Sequence, residues 1–105
     1  MKKLLFISAL SILPVMQVLA TVDIETNVLL PKGKIDFKNI DTNREFSAVY
    51  GAAKFPNEPD GRYEITATQD GKFCMGSNVQ FHHFKNEKTH SVKLDESCML
   101  WIHKG

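Results

Sequence analysis

From residue 21 to the end of the chain, apolar and polar positions alternate with a period of two, broken by turn residues at intervals of 8–12 positions. That rhythm is the pattern of strands with one face buried, arranged as a sandwich or barrel. Val22, Ile24, Thr26, Val28 and Leu30 alternate with Asp23, Glu25 and Asn27, predicting a first strand ended by Pro31-Lys32-Gly33. Ile35 and Phe37 share a face in a second strand closed by residues 39–43, and Phe46, Ala48 and Tyr50 share a face in a third over 44–50. Residues 51–61 carry Pro56, Pro59 and Asp60-Gly61, which reads as an exposed loop.

The second half is punctuated more sharply. Strands over 62–68 and 72–78 flank Asp70-Gly71, a pair suited to a type I′ hairpin because both residues tolerate positive φ. That register sets 68 opposite 73 and turns Cys74 toward the face of Ile65 and Ala67. A second hairpin is expected across residues 85–88, joining 79–84 to 89–94, and a last strand over 97–103 follows Asp95-Glu96. About seven strands result. The predicted fold is all-β, a small antiparallel β-sandwich of immunoglobulin or prealbumin type.

The stretch before residue 21 has a different character. Lys2 and Lys3 precede an apolar run over 4–13, and Val18 and Ala20 stand at −3 and −1 of a signal-peptidase site. Cleavage after Ala20 leaves a single 85-residue domain, 21–105, from the 105-residue chain. The apolar run is shorter than the ~20 residues a spanning helix needs, and no second such segment follows. The compact Lys-Lys start and the absence of an Asn-x-Ser/Thr sequon point to a bacterial protein, periplasmic or secreted. Export places Cys74 and Cys98 in an oxidising compartment, where an even pair without C-x-x-C spacing reads as one disulfide. The alternative, a redox or metal-ligating pair, fits poorly with two cysteines inside apolar strand patterns.

Removing Lys2 and Lys3 leaves eleven of the 13 Lys and Arg against 12 Asp and Glu, spread without a basic stripe. Nucleic acid is therefore not an expected partner. Pro59-Asp60-Gly61-Arg62-Tyr63-Glu64-Ile65-Thr66-Ala67 resembles a strand start found in prealbumin-like and fibronectin-like sandwich domains. The resemblance covers about a tenth of the exported chain; it implies a sandwich and assigns no activity.

Candidate chemistry is sparse. The 85–88 hairpin would set His83 opposite His90, with Phe81/Val92 and Val79/Leu94 filling the same face. Directly opposed Cβ atoms lie about 4.5–5.5 Å apart, which suits two imidazoles sharing one Zn or Cu ion, with Glu87 or His103 as a third donor. Met75 and Met99 extend that reading toward copper, although ordinary strand packing explains them as well. The run Cys98-Met99-Leu100-Trp101-Ile102-His103 is apolar on both faces. Such a strand is either covered twice or carries a binding surface, and Trp101 is expected in the core, with an outward position as the other outcome. Met99 and Trp101, together with Phe55, Asn57 and Glu58 of the 51–61 loop, are the candidate contacts for a partner. No Gly-x-Ser-x-Gly, His-Glu-x-x-His or phosphate-cradling glycine loop is present, so catalysis is not expected. Three functions fit: a non-enzymatic interaction module for a protein or glycan, with no cofactor; a metal-binding protein using His83 and His90; or a structural subunit that adds its N-terminal strand to a neighbour's sheet.

Overall fold

The computed structural model describes residues 20–74 and 80–104. The leader and the 75–79 segment, including Met75 and Val79, lie outside the described residues. The fold is an all-β sandwich. Nine strands are found among the described residues: β1 (Thr21–Val28), β2 (Gly33–Asn39), β3 (Glu45–Ala48), β4 (Gly51–Pro59), β5 (Gly61–Gln69), β6 (Lys72–Phe73), β7 (Gln80–Phe84), β8 (His90–Leu94) and β9 (Leu100–Lys104). The front sheet runs β4-β1-β8-β9; the back sheet runs β3-β2-β5, with β6 and β7 both paired to β5.

Alternation sorts the side chains as the pattern requires. Val22, Ile24 and Val28 of β1 face Ile35 and Phe37 of β2 and Tyr63, Ile65 and Ala67 of β5, all buried in one core. Asp70 and Gly71 both have positive φ, 54° and 82°, and the register they set pairs Thr68 with Phe73. The Cys74 amide then donates to the Ala67 carbonyl, and Cys74 is buried, as its predicted face requires. Cys74 is bonded to Cys98. The bridge ties the end of β6 in the back sheet to the turn before β9 in the front sheet.

Three expectations are corrected. Residues 51–61 are not a loop: β4 is a nine-residue edge strand paired with β1. Pro56 is accommodated because β4 is bulged there. Val22 pairs with Glu58 and Ile24 with Phe55, so Pro56 and Asn57 together oppose Asp23. A bulge on an edge is where a residue without an N–H fits. Asn57 adopts φ 58°, and its amide donates to the Asp23 carboxylate at 3.0 Å. The third strand accordingly stops at Ala48, and Val49 and Tyr50 form an exposed link between the sheets.

The hairpin across 85–88 does not form either. β7 pairs with β5 in the back sheet, whereas β8 pairs with β9 and, in parallel, with β1 in the front sheet. The front sheet is therefore mixed rather than purely antiparallel. The connection carries Asn86 followed by Glu87, without the glycine that a tight two-residue turn favours. It crosses between the sheets instead, held by the buried His90, whose Nε2 lies 2.9 Å from the Lys85 carbonyl oxygen. The third correction concerns strand direction: β1 lies between β4, antiparallel, and β8, parallel, so the expected antiparallel arrangement does not hold throughout and both edges of β1 are paired within the chain.

One end of the sandwich is stitched by polar groups. Asn39 is fully buried; its Nδ2 donates to the Pro59 and Asp60 carbonyls, and its Oδ1 accepts from the amides of Asp41 and Thr42. The Tyr63 hydroxyl donates to the Pro59 carbonyl four residues upstream, the arrangement of a tyrosine corner. Burial pushes the Tyr63 hydroxyl above its ordinary value, which keeps it a donor. Gly61 has φ 130°, and a Cβ there would lie 2.8 Å from the Asp41 carboxylate, which accepts from the Arg62 amide and guanidinium. Only glycine satisfies both the backbone angle and the close approach.

Candidate functional site

The outward positions of the front sheet form a shallow depression of about 610 Å³. Register places its floor and rim. Asn27 lies between Ala52 on β4 and Lys93 on β8, and Glu25 between Lys54 and Ser91. β9 continues the two rows, His103 beside Ser91 and Trp101 beside Lys93. Short side chains at Ala52, Asn27 and Ser91 leave the middle of the sheet low, and longer ones at Lys54, Lys93 and His103 stand around it. Lys54 reaches the Glu25 carboxylate at 3.9 Å. Both groups are about half exposed, so the pair contributes little to stability and both remain accessible to a ligand.

Trp101 borders this face. It is 43% exposed, so the expectation of a core position is corrected; Met99 is 48% exposed and faces solvent as well. Leu100 and Ile102, on the opposite face of β9, are the residues that pack on the core. The indole is not loose. Its Nε1 donates to Asp95 Oδ2 at 2.8 Å, while Asp95 Oδ1 accepts from the Ser97 hydroxyl and the amides of Ser97 and Met99. These bonds, the Ser97 hydroxyl first and the Trp101 indole next, lower the Asp95 carboxyl to about 2. Asp95 thus builds the turn before β9 and orients the tryptophan from a single carboxylate.

A pH dependence follows with a definite sign. A carboxyl held below its ordinary value of 3.8 contributes stability that is present above pH 4 and is lost as pH falls through about 2. Emission of Trp101, the single tryptophan, is expected to change with a midpoint near 2, and Asp95→Asn to abolish the step. Circular dichroism over the same range separates this local event from unfolding. A midpoint at the ordinary value would contradict the Asp95–Trp101 contact.

The other sequence candidates are distributed differently. Asn57 is exposed in the bulge of β4, but Glu58 is buried and receives two hydrogen bonds from Arg44, at 2.8 and 3.0 Å. Phe55 is half-buried in an aromatic column, 4.8 Å from the Phe46 ring and 6.4 Å from Phe37. Neither Glu58 nor Phe55 presents itself to a partner; both join the two sheets. Asn57 lies on the edge strand opposite β9, so the five candidates do not form one patch.

His83 and His90 are not brought together as cross-strand neighbours. His83 is exposed and pairs with Arg62 on the outside of the back sheet, whereas His90 is buried and pairs with Ile24 in the front sheet. The imidazole facing His90 belongs to His82, with ring centroids 6.4 Å apart. Among the described residues, no three His, Cys, Asp or Glu side chains gather as a metal site. Sequence reading missed Asn27, Ala52, Lys54, Ser91 and Lys93. The polar outward parity of β1 was a usable signal for Asn27, but with 51–61 read as a loop, nothing placed Ala52 and Lys54 beside it.

Comparisons of the chain with protein-family profiles, with curated proteins and with solved structures find no match.

Proposed function

We propose that this chain is an exported, non-enzymatic interaction module that binds a protein or glycan partner on the outer face of the front sheet. The observation that carries the reading is the depression floored by Ala52, Asn27 and Ser91, with the exposed Trp101 beside its rim residue Lys93 in the strand register. Recognition surfaces combine a rigid aromatic anchor with surrounding hydrogen-bonding groups. Trp101 is such an anchor, oriented in advance by Asp95, and pre-ordering reduces the entropy lost on binding. Lys54, Lys93, Asn27 and His103 offer donors across the neighbouring depression.

A periplasmic or secreted location is supported by the leader pattern of residues 1–20. The inter-sheet disulfide is compatible with it. No helix among the described residues is long and apolar enough to cross a membrane.

Capture from the envelope and medium of the source organism tests the reading. The exported chain should retain a partner that Trp101→Ala and Lys93→Glu each release and that Lys38→Glu, on the outside of the back sheet, retains. Equal capture by all variants, or none by the unmodified chain, contradicts it.

A further inference from the structure

Edge strands invite pairing, and folded proteins blunt them with proline, charge, bulges or short length. Three of the edges here carry such devices or offer little backbone. In the front sheet β4 has Pro56, Pro59, Lys54 and a bulge. In the back sheet β3 has four residues and begins with Glu45, and β6 has two residues. β9 is different. It presents Leu100-Trp101-Ile102-His103-Lys104, with a lysine only at its last residue, no proline and no pairing irregularity against β8, and among the described residues nothing pairs with its outer edge. β7 is the other five-residue edge without proline; its outward residues are Phe81 and His83, while His82 and Phe84 face the interior, and pairing β7 with itself about its middle would oppose His82 to His82, two polar rings, on the inner face where β9 opposes Ile102 to Ile102.

We infer that β9 is a self-association edge, pairing antiparallel with β9 of a second copy of this chain about a two-fold axis through Ile102. The sequence of β9 is complementary to itself in that register. Ile102 meets Ile102 on the core side, Trp101 meets the second copy's His103 on the outer side, and Lys104 falls opposite Leu100. No like charges are directly opposed, and an aromatic–imidazole pair forms on each side of the axis. Leu100 and Ile102 share the core face and Trp101 and His103 the other, so Ile102 meets Ile102 on the core face and Trp101 meets His103 on the outer one. The product is a continuous eight-stranded sheet from two four-stranded ones, closed by its symmetry. It also sets two copies of the depression side by side on one surface, so this inference rests in part on the proposed function by giving that site two-fold valency.

The test needs no partner, so its failure and the failure of the partner-binding reading are distinguishable. Sedimentation of the exported chain from about 1 μM to about 1 mM should show the mass rising from one chain to two, in the range of a small interface. Emission of Trp101 should shift with the same midpoint. Trp101→Lys opposes a cation to the second copy's His103 and should raise the dissociation constant at least tenfold. Lys38→Glu should leave it unchanged, and a circular dichroism spectrum matching the parent confirms that the Lys variant is folded. A single-chain mass at every concentration, or a dimer that Trp101→Lys leaves intact, overturns the inference.

Discussion

Breaking the Cys74–Cys98 bond is expected to remove about 3–4 kcal/mol of stability. The bridge closes a segment with a sequence separation of 24, and the chain-entropy relation gives about 3.5 kcal/mol for a loop of that size. A sandwich of this size has total stability on the order of 4–13 kcal/mol at the usual value per residue, so the bond accounts for a large share. Its position adds to the effect. Cys98 sits at φ 65°, unusual for a residue other than glycine, at the turn leading to β9. With the bond broken, nothing covalent holds the end of β6 to that turn. Urea unfolding of the Cys74→Ala/Cys98→Ala double variant should show a midpoint lowered in proportion. A loss below about 1 kcal/mol would mean that the two sheets are held by their shared core alone.

Asn39→Ala is the second large loss, at about 3 kcal/mol. The side chain makes four hydrogen bonds, with Asp41, Thr42, Pro59 and Asp60, from a position of zero exposure. A net hydrogen bond is worth about 0.5–1.5 kcal/mol, and groups left buried without partners cost about 1–3 kcal/mol. Asn39→Asp discriminates the mechanism. It keeps the two accepted bonds but turns a carboxylate toward two carbonyl oxygens, so it should be no more stable than alanine at neutral pH. Stability within 1 kcal/mol of the parent for either variant would contradict the role assigned to Asn39.

What the sequence made legible is what local chemistry decides. Alternation in β1, β2 and β5 needs no knowledge of neighbours, because one face of each is buried whichever strand lies beside it. Asp70-Gly71 carries its own turn geometry, and that register is enough to place Cys74 on the core face. Three features depended on distant residues and were not legible. β4 contains two prolines, and only its edge position and the bulge opposite Asp23 make it a strand. The 85–88 connection lacks a glycine, and whether it turns back or crosses between sheets is decided by pairing of β7 with β5 and of β8 with β1. Asn39 reads as an ordinary turn residue, since its partners at Pro59 and Asp60 lie about twenty positions away.

The same division holds for the candidate site. Met99 and Trp101 were legible as outward residues once Leu100 and Ile102 were assigned to the core, although the expectation favoured burial of the tryptophan. Phe55, Glu58, His83 and His90 were misplaced because their roles follow from β4 being a strand and from the sheet crossing after β7. Phe55 and Glu58 are consumed by contacts between the sheets, to Phe46 and Arg44 respectively.

Site-specific photocrosslinking tests the central claim, that the outer face of the front sheet is the partner-binding surface. A photoreactive residue is placed at Lys93, and another at Lys38 on the outer face of the back sheet, both in living cells of the source organism. The account predicts a discrete protein or glycan adduct from position 93, lost when Trp101→Ala is added, and none from position 38. Adducts of equal yield from both positions, or an adduct from position 38 alone, would contradict it.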